Sequence, residues 1–246
     1  LMPVKKFLVE LPWAGVVAAL AFISYRLQGV RLLLVTVGLC LFITVTGYWE
    51  KAIITVYLCG IGALLSSLGG IFIGICAAGH RRLTGALNLL LDTLQTLPAF
   101  VYLMPCVILF RVGDVSALIA IVAYAIVPVI RYTLHGISQV PTPVLESSRI
   151  SGCSMRQLLV KVQLPLALPD IVLGINQTIM MALSMVVITA LIGTRDLGQE
   201  VYMALTKADI GRGLVAGVGV ACIATVTDRL MQAYISAIKH KTGQTP

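Results

Sequence analysis

Long apolar runs constrain this chain more than any motif in it. Mostly apolar stretches extend over Trp13 to Tyr25, Val30 to Gly47, Ala52 to Gly79, Leu97 to Phe110, Val115 to Tyr132, Ile171 to Ile192 and Gly213 to Ile238. A helix that crosses hydrocarbon needs about 20 such residues. Inside the bilayer every backbone polar group must be satisfied within the protein, which leaves helices as the natural solution for runs of this kind. The pattern predicts an all-α fold: a polytopic membrane helix bundle of about seven transmembrane helices. Composition supports it, because hydrophobic residues make up 59% and charged residues 11%, where soluble domains carry roughly 25% charged residues.

The polar punctuation refines this outline. Arg26 and Arg31 separate the first two runs, the first of which is short for a span. Tyr48 and Trp49 precede the third run, in the place where aromatic residues favour the interface, and His80, Arg81 and Arg82 close it. The stretch from Leu83 to Thr96 mixes Asn88, Asp92, Gln95 and Thr96 with leucines. That mixture predicts a helix on the membrane surface or lining a polar cavity, rather than one facing lipid. Pro98 and Pro105 interrupt the next run.

Formal charge is +8, yet the basic residues are scattered beside apolar runs, so they orient the chain in a bilayer and argue against a nucleic-acid partner. Seven spans place Arg26/Arg31, Arg81/Arg82, Arg149/Arg156/Lys161 and Lys239/Lys241 on one face, predicted cytoplasmic. The same scheme exports Lys5, Lys6, Lys51, Arg111, Arg195, Lys207 and Arg212, which weakens the asymmetry. Lys5 and Lys6 ahead of an apolar run look like a secretory signal, but without an evident small-residue cleavage site a retained helix is expected. The six cysteines form no Cys-x-x-Cys pair and read as packing residues. Gly62, Ser66, Gly70 and Gly74 recur every four residues, as do Gly213 and Gly217, a spacing that lets helices approach closely.

The most informative segment is the polar insertion from Gly136 to Pro169. Within it Thr142 is suited to cap a short helix with Pro143 at its first position, and Gly152 supplies the left-handed residue that ends it. Ser154 followed by Gln157 is a capping-box pattern for a second helix, and Pro165 is expected to stop that helix. The product is a helix-turn-helix on the cytoplasmic face, amphipathic enough to lie against a protein or lipid headgroups.

The run Glu146-Ser147-Ser148, then Gly152, then Val162-Gln163-Leu164-Pro165 resembles the EAA loop of permeases from ABC-type importers, with Ser147 and Ser148 in place of the usual alanines and Val162 in place of isoleucine. The resemblance runs from about Ile53 to Gln232. Leu94-Gln95-Thr96-Leu97-Pro98-Ala99-Phe100-Val101-Tyr102-Leu103 and Asn176-Gln177-Thr178 with Ala182-Leu183-Ser184-Met185-Val186-Val187-Ile188 are similar to the glycine betaine/proline (quaternary amine) subgroup.

It implies the fold of a type I ABC importer permease: a homodimer of permeases in the bacterial cytoplasmic (inner) membrane, bound to two ABC ATPase subunits and fed by an extracytoplasmic substrate-binding protein or domain. Residues 1–51 would be accessory transmembrane helices and residues 52–246 the permease core, with the coupling loop at 141–165. Glu146, Ser147, Ser148, Arg149, Gly152, Cys153, Arg156, Leu164 and Pro165 would couple to the ATPase. No cofactor is expected on this chain; ATP and Mg belong to the partner subunit, since the sequence has no Gly-x-x-x-x-Gly-Lys phosphate loop. The chain itself is therefore read as no enzyme.

Gln95, Phe100, Tyr102, Asn176, Gln177 and Ser184 are candidate residues of the translocation path, the polar ones either lining it or bonding between helices. A quaternary ammonium has no N–H donor, so aromatic faces suit it, and Tyr124 joins Phe100 and Tyr102 as a candidate host. Asp228 and Arg229 read as an anchor near the end of the last span. Two other classes compete. An ion-gradient-driven secondary transporter of small zwitterions would need ionisable groups at midplane and internal repeats, which the sequence lacks apart from Asp228. An intramembrane enzyme would have to use His135 and Ser138 without a third group to orient the base.

Overall fold

The computed structural model describes residues 2–241, and among these there is helix and no strand. The side chains of Arg81, Lys239 and Lys241, counted above among the basic clusters, lie outside the described residues. Twelve helices follow one another: α1 (Met2–Glu10), α2 (Trp13–Gln28), α3 (Val30–Val45), α4 (Trp49–Ala78), α5 (Arg81–Thr96), α6 (Ala99–Phe110), α7 (Asp114–Ser138), α8 (Thr142–Ile150), α9 (Met155–Leu158), α10 (Leu164–Thr189), α11 (Leu197–Thr206) and α12 (Ile210–Lys241).

Every one of the seven apolar runs is helical, but they are unequal. Four helical stretches are long and apolar enough to cross a membrane alone: α4, α7, the continuous helix Met155–Ile192 and α12. Helix α5 and helix α6 form a fifth only as a bent pair, with a 93° knee between them. The knee has a local cause, since the residue before a proline is pushed out of the α region, and Leu97, ahead of Pro98, is extended at φ −70°, ψ 132°. Helices α2 and α3 have 16 residues each, about 24 Å at 1.5 Å per residue, less than the hydrocarbon thickness of about 30 Å.

Small residues set the packing. A Cβ on Gly62 would lie 2.4 Å from Ile121, one on Gly70 2.3 Å from Val129 and one on Gly74 2.7 Å from Thr133, while Ser66 Oγ donates to Val122 O at 3.2 Å. The register is the same at all three glycines, so α4 and α7 run parallel in close contact. Gly136 faces Ala167 and Asp170, and Gly174 faces Tyr132 and Val129, which makes α10 antiparallel to α7. The Gly213 site is also close-packed, 3.2 Å from Ala204, whereas Gly217 meets nothing. The main core, with Leu58, Ile121, Met185 and Leu197, sits where α4, α7, α10 and α12 converge.

Ion pairs gather at the bundle end opposite α8. Lys5 Nζ pairs with Asp114 at 2.7 Å. Glu200, only 1% exposed, takes Arg212 Nε at 2.6 Å and also pairs with Lys51. Three of the exported basic residues are thus neutralised by carboxylates. Asp196 caps α11 by accepting from Gln199 N at 3.0 Å, and Leu197 N donates to Thr55 Oγ1 at 3.0 Å. Four of the six cysteines, Cys40, Cys59, Cys106 and Cys222, are buried thiols; all six are free.

Candidate coupling site and translocation path

Helix α8 begins one residue earlier than the capping pattern predicts. Pro141 is its N-cap, its carbonyl accepting from Val144 N at 3.0 Å, and Thr142 makes no side-chain cap. Pro143 still sits in the first turn, where a missing N–H costs nothing. The helix ends as expected: Gly152 has φ +82°, Cys153 N donates to Ser148 O at 3.2 Å and Gly152 N to Arg149 O at 2.9 Å, the paired bonds of a Schellman turn. Nothing lies within 4 Å of a Cβ built on Gly152, so its requirement is the left-handed backbone alone and not space. The second helix starts with a complete capping box, Gln157 N to Ser154 Oγ at 3.3 Å and Ser154 N to Gln157 Oε1 at 2.9 Å.

Pro165 does not stop that helix, contrary to the sequence-based expectation. Leu164 is α-helical at φ −62°, ψ −44°, and a π turn over Leu159–Gln163 carries α9 directly into α10. A proline removes one helical donor and crowds the carbonyl four residues back, here Lys161. Widening the ladder at that turn accommodates both. The result is one helical rod of 38 residues, Met155–Ile192, about 57 Å long.

Helix α8 has no buried residue, whereas α9 is anchored by the buried Leu158. Glu146, Ser147, Arg149, Gly152 and Arg156 are exposed, as is Pro165, while Ser148, Cys153 and Leu164 are half-buried. Ser147 and Ser148 both turn their hydroxyls back to Val144 O, which hides polarity that a partner would otherwise have to satisfy. Sequence reasoning missed Ile150, 87% exposed, and Met155, 73% exposed. They flank the Gly152 turn as an apolar tip, and the signal was there in two large apolar residues beside a turn glycine.

The proposed path residues divide. Gln95 and Phe100 are exposed on either side of the α5–α6 knee. Tyr102 OH donates to Leu94 O at 2.6 Å, satisfying an end carbonyl of α5, and its ring meets Tyr124 edge-on at 5.5 Å. Gln177 and Ser184, seven residues apart, lie on one exposed face of α10, with Ser184 Oγ bonded to Met180 O. Asn176 is 9% exposed and donates to Asp228 Oδ1 at 2.9 Å, and Gln232 donates to the other Asp228 oxygen at 2.7 Å. Asp228 is thus fastened between helices rather than reaching to an interface. His135 and Ser138 make no acid–base pair, because Ser138 Oγ donates to the His135 backbone carbonyl. A cleft of about 400 Å³ between α4, α10 and α12 is lined by groups such as Leu64, Ile179 and Ile223, with only Ser67 and Thr227 polar, so a charged solute finds no partner there.

A spanning rod that ends in a protruding, turn-linked helix pair matches what a comparison of families finds. The model described as "Binding-protein-dependent transport system inner membrane component" matches residues 70–240. The chain belongs to this family. Among relatives of this inner membrane component, the trimethylamine N-oxide transport system permease protein TmoV of Pelagibacter ubique is 37% identical over 99% of this chain and 34% of its own length. The glycine betaine/proline betaine permease protein ProW of Escherichia coli is 40% identical over 93% of this chain and 65% of its own length. The glycine betaine permease protein OpuAB of Bacillus subtilis is 42% identical over 78% of this chain and 68% of its own length. The chain therefore spans between about a third and two thirds of the curated relatives it matches. In solved structures, the MetNI methionine ABC transporter in its inward-facing conformations shares the fold, with a TM-score of 0.70 at 17% identity over 78% of this chain and 95% of that one. Membership in this family favours a transport-system membrane component over the secondary transporter.

Proposed function

We propose that this chain is the permease of an ATP-driven importer for small solutes with a fully substituted nitrogen and a negative oxygen, such as glycine betaine. The observation that carries the reading is the continuity of α9, beside the exposed α8, with span α10 in one helix, Met155–Ile192. Motion imposed at Met155 travels along one helix to the polar face of Gln177 and Ser184, which is what alternating access by rigid-body switching requires. Relatives named for glycine betaine, proline betaine and trimethylamine N-oxide support the substrate class. In this reading two copies form the path in the bacterial inner membrane, two ABC ATPases with ATP and Mg seat the coupling pairs, and an external binding protein delivers the cargo. Residues 1–51 act as accessory helices, with α2 and α3 joined by the buried Ser24–Thr36 hydrogen bond and held to the bundle by packing on α12, and residues 52–246 act as the core.

The test is uptake of radiolabelled glycine betaine by sealed vesicles holding the assembled complex, with ATP or with an ionophore. Uptake that needs ATP and survives the ionophore is expected, and Ile150→Asp should abolish it together with co-purification of the ATPase. Uptake driven by a gradient, or an unchanged complex with Ile150→Asp, would overturn the reading.

A further inference from the structure

Helix α5 carries a polar stripe that lipid cannot cover. Asn88, Asp92 and Gln95 fall at i, i+4 and i+7, on one face of the helix, and all three are exposed. Across from them Arg131 of α7 donates from Nη2 to Asp92 Oδ1, joining the two helices. The pair is no buried staple, since the side chains are 63% exposed for Asp92 and 37% for Arg131. It lies about 26 Å along α7 from Asp114, towards the α8 end of the bundle. Arg131 Nε is buried and has no acceptor, so the exposed part of the guanidinium is its Nη side. Tyr124, seven residues before Arg131, continues the same face of α7 and meets the Tyr102 ring.

We propose that the Asp92–Arg131 pair is a transit site for a zwitterion on the translocation path. This rests on the reading above that the cargo joins a fixed cationic nitrogen to a negative oxygen. Such a solute can insert into the pair by exchange. Its carboxylate takes the Arg131 Nη groups in charge-assisted hydrogen bonds, and its ammonium takes Asp92. Two opposite charges replace one pairing by two, and none is left unpaired. A cation without an anionic end, such as choline, would strand Arg131, so the site selects dipolar solutes. Because exposed ion pairs are weak, the exchange is cheap in both directions, as a site that must also release its cargo requires.

The experiment uses the assembled complex with its ATPase and binding protein in vesicles, glycine betaine as probe and proline as a second zwitterion. Arg131→Gln and Asp92→Asn are each expected to lower uptake about tenfold, the scale of one charged hydrogen bond, while ATP hydrolysis stimulated by the loaded binding protein persists. The double variant Asp92→Asn with Arg131→Gln keeps an interhelical amide hydrogen bond and so preserves any merely structural role. It should be assembled and hydrolyse ATP, yet remain about tenfold slow. Saturation-transfer NMR on the complex without binding protein should show the betaine methyl signal in the parent and its loss in both single variants, with choline signal no weaker in Arg131→Gln than in the parent. Full uptake by the double variant, or betaine signal unchanged by Arg131→Gln, overturns the site. Failure of the parent to take up betaine while it imports proline through the same residues refutes only the quaternary-amine reading, and failure with both zwitterions refutes the site as well.

Discussion

Glu200→Gln removes one charge and almost no volume, so it isolates the electrostatics of the outer end. In the folded chain the Glu200 carboxylate is 1% exposed and is held by Lys51, at the start of α4, and Arg212, at the start of α12. It thereby ties α11 to two spans. Breaking a buried pair by deleting one partner costs about 3–5 kcal/mol. Here the cationic side chains keep 34% and 29% exposure, so water recovers part of the loss and about 2–3 kcal/mol remains. For a chain of this length that is a fall in Tm of about 5–10 °C. Thermal unfolding of the purified protein, followed by fluorescence-detected gel filtration, measures it. Arg212→Gln alone and combined with Glu200→Gln completes a cycle, with a coupling of about 1–3 kcal/mol expected. A Tm within about 1 °C of the parent, or strictly additive losses, would refute the argument that one carboxylate clamps both helices.

Gly174→Ala would put a Cβ 2.6 Å from Tyr132 Cβ and 3.1 Å from the Val129 backbone, and backbone cannot rotate away; a loss of about 1–3 kcal/mol is expected, whereas Gly60→Ala, which meets nothing within 4 Å, should leave Tm equal or higher. Comparing the two melting curves checks it, and equal losses would refute close packing as the reason for Gly174. Burial pushes the Asp196 carboxyl above its ordinary range, opposed by the hydrogen bond from Gln199. A raised carboxyl disfavours the folded state once pH exceeds the unfolded value of about 3.9, and protonation relieves it below. Asp196→Asn keeps the cap acceptor, so its Tm relative to the parent should rise as pH goes from acid to neutral; parallel pH profiles would contradict this.

Much of this was legible before folding. Apolar runs located every span because the bilayer demands about 20 apolar residues and an internally bonded backbone. Gly152 and the Ser154–Gln157 box placed the turn between α8 and α9 because both act within a few residues. The glycine repeat from Gly62 to Gly74 announced a close helix contact, although not that the partner would be α7.

What local chemistry could not decide was where long-range packing overrides it. Pro165 breaks a helix in isolation, but a π turn and the demand for a continuous span carried the chain through it. Asn176 could have lined a path until α12 brought Asp228 to 2.9 Å. Glu200 and Arg212, or Asp92 and Arg131, lie on different helices, and nothing in their spacing says that they meet. By itself the sequence determined which segments enter the membrane and where the α8–α9 turn bends, because those depend on solvent preference and backbone freedom of neighbouring residues. Only the tertiary structure decided which charges are paired and which helices move as one, because these depend on which faces come into contact.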